Sequence, residues 1–176
     1  MNLEILRAAS LKPKPKDSEL VFGRIFTDHM FIMKYEKGKG WHDAKIKPFE
    51  NFSMSPACAT LHYSQTIFDG LKAYHTEKGV NLFRPWDNFK RMNTSAARLC
   101  MPEIDEKFAL ECLIELIRID KDWVPKAEGT SLYIRPTMIA TDPYIGVKAG
   151  EEYLFYIILS PVAHTTRRVS PPSPSM

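Results

Sequence analysis

Two arginines and a tyrosine are the side chains here best suited to handling an anion. Arg91 lies in Asn88-Phe89-Lys90-Arg91-Met92, where the apolar spacing is helical. Its guanidinium is a planar fork that can give two parallel hydrogen bonds to a phosphate or carboxylate. By helix position alone a solvated surface charge is the commoner reading. Tyr133 and Arg135 lie in Ser131-Leu132-Tyr133-Ile134-Arg135, a β-prone run. Being two apart on a strand, they share one face. That puts a phenol beside a guanidinium, although an edge-strand arginine in an ion pair is an equally ordinary outcome. There is no GxGxxG and no GxxxxGK[ST], so no nucleotide loop competes for the chemistry. Cys58, Cys100 and Cys112 show no CxxC and no paired spacing, so neither a metal site nor a disulfide framework is expected. Reduced thiols in a reducing compartment fit them better.

The elements that must position these groups follow from periodicity. Phe31-Ile32-Met33-Lys34-Tyr35 is short, aromatic and bounded by Gly38 and Gly40, which predicts a strand. Leu71–His75 and Val80–Arg84 alternate on a period of two around Glu77-Lys78-Gly79, which predicts a hairpin. Phe89, Met92, Ala96 and Leu99 recur at helical steps, so a helix is expected over Trp86–Leu99 with Pro85 at its entry. A second runs from an N-cap at Asp105 to about Lys121, with Phe108, Cys112, Leu113, Leu116 and Ile117 inward. Strands follow at Ser131–Arg135 and Tyr153–Leu159. The latter is almost wholly apolar and should lie centrally, covered on both faces or in need of a second layer. Strands, then helices, then strands predict an α+β domain with a mixed or antiparallel sheet and two main helices packed on it.

At 176 residues one domain is the natural expectation, and no internal repeat is visible. The division expected is a flexible segment over 1–19, a folded domain over 20–162, and a disordered Pro/Ser-rich tail over 163–176. The net charge of +3 is mild and the basic residues are scattered among acids, which argues against nucleic acid. No apolar run reaches the roughly 18 residues of a membrane span. The first seven residues lack a signal-peptide core, and Glu4 weighs against a transit peptide. The cytosol is the expected compartment, with mitochondria left open.

A series of motifs then resembles one family. Val21-Phe22-Gly23 and Phe26-Thr27-Asp28-His29-Met30 come first. Leu61-His62-Tyr63, Phe68-Asp69-Gly70-Leu71-Lys72-Ala73 and Leu82-Phe83-Arg84-Pro85-Trp86 follow. Then come Asn88–Met92, Trp123-Val124-Pro125 and Ser131-Leu132-Tyr133-Ile134-Arg135-Pro136. In order and spacing, from about residue 20 to 162, they resemble branched-chain amino-acid aminotransferases. One departure is visible: Asp69 stands where the family usually has glutamate, which shortens the reach of the acid by one methylene.

The resemblance implies the small N-terminal domain of a fold-type IV enzyme that uses pyridoxal 5'-phosphate. It implies amino transfer from leucine, isoleucine or valine to 2-oxoglutarate, giving branched 2-oxo acids and glutamate. Under it, Arg91 is the phosphate-binding arginine, and Phe22, Tyr133 and Arg135 line the substrate pocket. Tyr63, Ile145 and Val147 reach the pocket of the other subunit of a homodimer. The family's Schiff-base lysine precedes a Gly-Gly-Asn-Tyr type segment, and no lysine here stands in that context. The catalytic residue and the large C-terminal domain are therefore expected to be absent, with the cofactor site incomplete. The alternative is a catalytically inactive fragment acting as a dimerisation or regulatory module.

Overall fold

The computed structural model describes residues 1–163. The Pro/Ser-rich stretch read as a tail lies, from residue 164 onward, outside the described residues. In chain order the elements are β1 (Glu4–Ile5), β2 (His29–Glu36), β3 (Gly40–Pro48), α1 (Ala59–Tyr63) and β4 (Thr66–Phe68). Then come β5 (Leu71–Thr76), β6 (Gly79–Leu82), α2 (Pro85–Arg98), α3 (Glu106–Ile119), β7 (Ser131–Ala140) and β8 (Glu152–Val162). Short 3-10 turns occupy Asp17–Glu19 and Lys121–Trp123.

The strands form one eight-stranded sheet in the order β1-β3-β2-β8-β7-β5-β6, with β4 also paired to β7. β1 and β3 are parallel and the other pairs antiparallel. This is the expected α+β arrangement of a mixed sheet carrying two main helices. Phe31, Met33, Leu132, Ile134, Met138, Phe155, Ile157 and Leu159 point to the helix side. There they meet Phe89, Met92 and Ala96 of α2 and Leu113 and Leu116 of α3. The other face is more thinly clad. Met30, Ile32, Ile139 and Leu154 are covered by Phe49 and Phe52, and Tyr156 and Ile158 are only partly buried.

Both helices begin as their residues dictate. Pro85 opens α2, and the Asp105 carboxylate accepts the Phe108 N–H at 3.0 Å to cap α3. The expected hairpin is β5–β6, turning on Glu77-Lys78 into Gly79 at φ +114°. β7 runs five residues past its expected end, straight through Pro136. The Pro136 carbonyl accepts from Asp69 N–H at 3.0 Å. A strand residue's N and O point the same way, so the missing N–H falls at the break between β4 and β5. The β7–β8 ladder is untouched.

Within the segment 1–19, expected to be flexible, Ala8, Lys12 and Asp17 hydrogen-bond to the folded domain. Ala8 N–H donates to His29 Nε2 at 2.9 Å and Lys12 N–H to Asp28 Oδ1 at 2.8 Å. Ala127 N–H donates to Asp17 Oδ2 at 3.0 Å. Pro13 and Pro15 suit an extended backbone.

The three cysteines are unpaired: Cys58 and Cys112 are buried and Cys100 is exposed. Burial, with the charge of Glu111 adding, pushes the Cys112 thiol up to about 12. Its thiolate is therefore negligible at neutral pH. Iodoacetamide under native conditions is expected to label Cys100 alone, with Cys58 and Cys112 reacting only in denaturant. Peptide mass mapping reads the outcome.

Candidate functional site

The break between β4 and β5 holds the contact that Arg91 makes with the sheet. β4 pairs with β7 as far as Phe68↔Thr137, and β5 resumes at Leu71↔Ile134. Asp69 and Gly70 fill the gap. The Asp69 side chain is only 5% exposed and its carboxylate is fully engaged. It accepts from Gly70 N–H at 2.6 Å and from Asn88 Nδ2 at 2.9 Å. It also takes Arg91 Nε at 2.8 Å and Arg91 Nη2 at 2.7 Å. Asn88 and Arg91 are three apart on α2, so the helix presents both to one carboxylate. The hydrogen bonds to Asp69, and then its charge, raise Arg91 above the usual arginine value. Arg91 itself remains 62% exposed on its side chain.

On the sheet face opposite the helices, Arg135 Nε and Nη2 both donate to Tyr133 Oη, at 3.0 and 2.7 Å. With Oη accepting twice, its own proton is available for donation elsewhere. The Arg135 guanidinium also lies 4.3 Å from the centre of the Phe68 ring and 5.3 Å from that of Tyr133. Phe22 packs edge-on to Tyr133, ring centres 5.0 Å apart. Lys72 pairs in register with Tyr133 and Ser160 lies opposite it on β8, which puts both on this same face. The Ser160 hydroxyl is buried without a protein partner among the described residues.

Of the residues singled out in the sequence, Phe22 and Arg135 each contact Tyr133. Arg91 bonds Asp69, whose neighbour Gly70 lies against the Tyr133 hydroxyl. Tyr63, Ile145 and Val147 belong to a separate feature. An isolated bridge between Cys58 and Pro143, and a 2.9 Å bond from Ala59 N–H to Asp142 C=O, tie α1 to the loop after β7. The Asp142 carboxylate accepts both Glu151 and Glu152 N–H and so closes that loop. Tyr63, Ile145 and Val147 stand exposed on it and on α1, Val147 at 92%. Phe68, 61% exposed, and Asn88 were quoted only as parts of motifs and given no role. No local signal gave the former, because β4 is only three residues long. The i, i+3 spacing to Arg91 was one for the latter.

Gly70 has an ordinary φ, so space alone demands glycine. A Cβ there would lie 2.4 Å from Tyr133 Oη and 3.1 Å from Cζ. Gly70→Ala is expected to displace the phenol and cost about 1–3 kcal/mol in urea unfolding. The nearest atom is the hydroxyl, so the same change in a Tyr133→Phe background is expected to cost less. A double-mutant cycle checks this.

The arrangement offers an apolar wall of Phe22, Phe68 and the Tyr133 ring, one cation embedded in it, and a second guanidinium held by a buried acid. No protein-family model matches the chain. Curated relatives do. Branched-chain-amino-acid aminotransferase 2 of Bacillus subtilis is 57% identical over 152 residues, 86% of this chain and 42% of the relative. The mitochondrial branched-chain-amino-acid aminotransferase of Rattus norvegicus is 46% identical over 163 residues, 92% of this chain and 41% of the relative. Among solved structures, the Escherichia coli branched-chain amino acid aminotransferase matches at TM-score 0.58 and 20% identity, over 83% of this chain and 47% of that one. The enzyme of Thermoproteus uzoniensis, solved with norvaline, matches at TM-score 0.57 and 18% identity, over 77% and 41%. The structural matches establish the fold, and the chain spans less than half the length of the relatives it matches. By sequence and fold together, the chain is a homologue of the branched-chain amino-acid aminotransferases, the fold-type IV pyridoxal-phosphate enzymes, matching a part of them the size of one sub-domain.

Proposed function

We propose that this chain carries the substrate-pocket and phosphate-binding part of a branched-chain amino-acid transaminase. The reaction moves an amino group from leucine, isoleucine or valine to 2-oxoglutarate. The observation that carries this reading is Arg135 lodged between Phe68 and Tyr133. A single site for both substrates must accept an apolar side chain and a carboxylate in turn. An aromatic wall with one embedded guanidinium does both. The rings bury the branched chain, and the cation pairs with the distal carboxylate of the dicarboxylic partner.

The group the family implies, pyridoxal 5'-phosphate, meets a suitable residue. Arg91 is exposed, and its Nη1 makes no protein hydrogen bond among the described residues. Arg91 would hold the phosphate. The bound cofactor supplies an electron sink for the amino-acid α-carbon. Phe22, Tyr133 and Phe68 exclude water from that side, and Tyr133 holds Arg135 in place. The amine that would carry the cofactor must come from a segment other than those matched here. The pocket is then completed by chain that these residues do not include, as a large domain and a homodimer partner would do. Three unpaired thiols suit a reducing compartment of cytosolic type, and no helix among the described residues is long and apolar enough to cross a membrane.

The test is reconstitution. This chain is co-expressed with the remaining C-terminal part of the Bacillus subtilis relative and assayed for glutamate from leucine and 2-oxoglutarate. Amino transfer from leucine, read as glutamate with 2-oxoglutarate as acceptor and as valine with the 2-oxo acid of valine as acceptor, supports the reading if Arg135→Met depresses the first more than the second. A stable complex without activity rejects it. The chain alone, with cofactor added, is expected to give nothing above the cofactor-only background.

The exposed apolar side chains of Tyr63, Ile145 and Val147 favour a second reading, a non-catalytic module that pairs with full-length subunits. Size-exclusion chromatography after co-expression with a full-length relative decides it, because this reading requires a mixed species.

A further inference from the structure

Asp69 is the most heavily bonded carboxylate near the site, and nothing so far gives it a task beyond contact with Arg91. The geometry of that contact is specific. A guanidinium has a side edge, Nε with Nη2, and an end edge, Nη1 with Nη2. Asp69 takes the side edge, Oδ2 to Nε at 2.8 Å and Oδ1 to Nη2 at 2.7 Å. The end edge keeps Nη1 and the second Nη2 proton, on a side chain 62% exposed, while the acid behind it is 5% exposed. Asp69 is itself immobilised by Gly70 N–H and Asn88 Nδ2. Its own N–H is fixed to the Pro136 carbonyl of β7.

We propose that Asp69 is the positioning residue of a phosphate-monoester site. It clamps Arg91 by the side edge so that the end edge is presented outward as a preformed two-donor fork. The inference rests on the reading of Arg91 as a phosphate ligand and deepens it. Two effects of Asp69 oppose each other. Its negative charge repels a phosphate, and its hydrogen bonds remove the rotor freedom that an unclamped arginine must lose on binding. The guanidinium faces solvent, where repulsion is screened, whereas the carboxylate that clamps it is buried and held by Gly70 N–H and Asn88 Nδ2. Orientation therefore outweighs repulsion. The aspartate brings the clamp one methylene closer to the strand than glutamate would, and either acid can span the side edge.

The experiment titrates the 176-residue chain with inorganic phosphate, and separately with pyridoxine 5'-phosphate and pyridoxine. Neither vitamer has an aldehyde to react with surface lysines. Binding is followed by 31P line broadening and by the 15N signals of arginine side chains. Asp69→Asn is expected to weaken phosphate about tenfold, the scale of one charged hydrogen bond. Asp69→Glu should restore most of that loss, and neither change should alter pyridoxine. Tighter phosphate binding by Asp69→Asn would show that charge dominates and overturn the proposal. A measurement on the unaltered chain covers the case in which Asp69→Asn does not fold. The Arg91 Nε–H signal should stay put and exchange slowly as phosphate is added, while the Nη signals move. Collapse of the Nε–H signal would make Asp69 a competitor displaced by phosphate, and would also overturn it. Arg91→Ala separates the two levels. If it leaves phosphate binding intact, the reading of Arg91 has failed. If it abolishes binding while Asp69→Asn binds as tightly as the unaltered chain, only the positioning role has failed.

Discussion

Asp120→Ala is expected to lower unfolding stability by about 3–5 kcal/mol, enough to leave a domain of ordinary stability partly unfolded. Asp120 is 3% exposed and ends α3. Its Oδ1 takes His29 Nδ1 at 2.7 Å and its Oδ2 takes His29 N–H at 3.0 Å. The far side of the imidazole is occupied too. Ala8 N–H points at Nε2, which must then bear the lone pair, so the ring proton lies on Nδ1 and goes to Asp120. Truncation strands two buried donors at once and releases the N-terminal segment that leans on the same ring. Asp120→Asn keeps an acceptor oxygen and is expected to cost about 1–2 kcal/mol. Urea unfolding of both variants checks the order. Equal losses would mean that the carboxylate matters only as helix end, not as the link between α3 and β2.

That link shows where sequence reading stops. Asp28 and His29 were visible as part of a motif, yet their partners Trp123 and Asp120 lie more than ninety residues away. No local period reports such a pairing. The two main helices were legible because their apolar residues recur at three- and four-residue steps and their ends carry Pro85 and Asp105. β3 could have been found, since Ala44-Lys45-Ile46-Lys47 alternates and the structure buries Ala44 and Ile46 completely. Gly40, which bounds β2 in the sequence reading, is in the structure the first residue of β3. β4 is three residues long, too short for any period to show. The prolines at 13 and 15 suggested flexibility because composition does not reveal acceptors waiting elsewhere on the surface.

The pairing of Tyr133 with Arg135 was legible for a different reason. Tyr133 and Arg135 share a face by simple alternation, and the run they occupy is β-prone. The clamp on Arg91 was not, because Asp69 and Arg91 meet only where β4 gives way to β5, and that break is set by Pro136 on the neighbouring strand. Phe68 escaped for the same reason. Its place beside Arg135 depends on the β4–β7 register, which nothing local encodes.

The same strand geometry gives the second large effect. β8 reads as apolar throughout, so composition alone assigns its two faces equal weight. The structure does not. Phe155, Ile157 and Leu159 are fully buried on the helix side, with Phe155 edge-on to Phe31 and Trp41. Ile158 lies on the opposite face, beside Arg135 in register, and is only partly covered. Phe155→Ala is expected to cost about 3–5 kcal/mol and to lower the melting temperature by about 10 °C, because the ring leaves a cavity that neighbours on both sheet and helices cannot close. Ile158→Ala is expected to cost about 1 kcal/mol, since the water it would meet is already near. Thermal and urea melts of the pair measure the asymmetry. It carries functional weight, because the face that tolerates truncation is the one that presents Tyr133 and Arg135. If both variants lost the same stability, that face would be a closed core in solution, and a pocket could not open onto it.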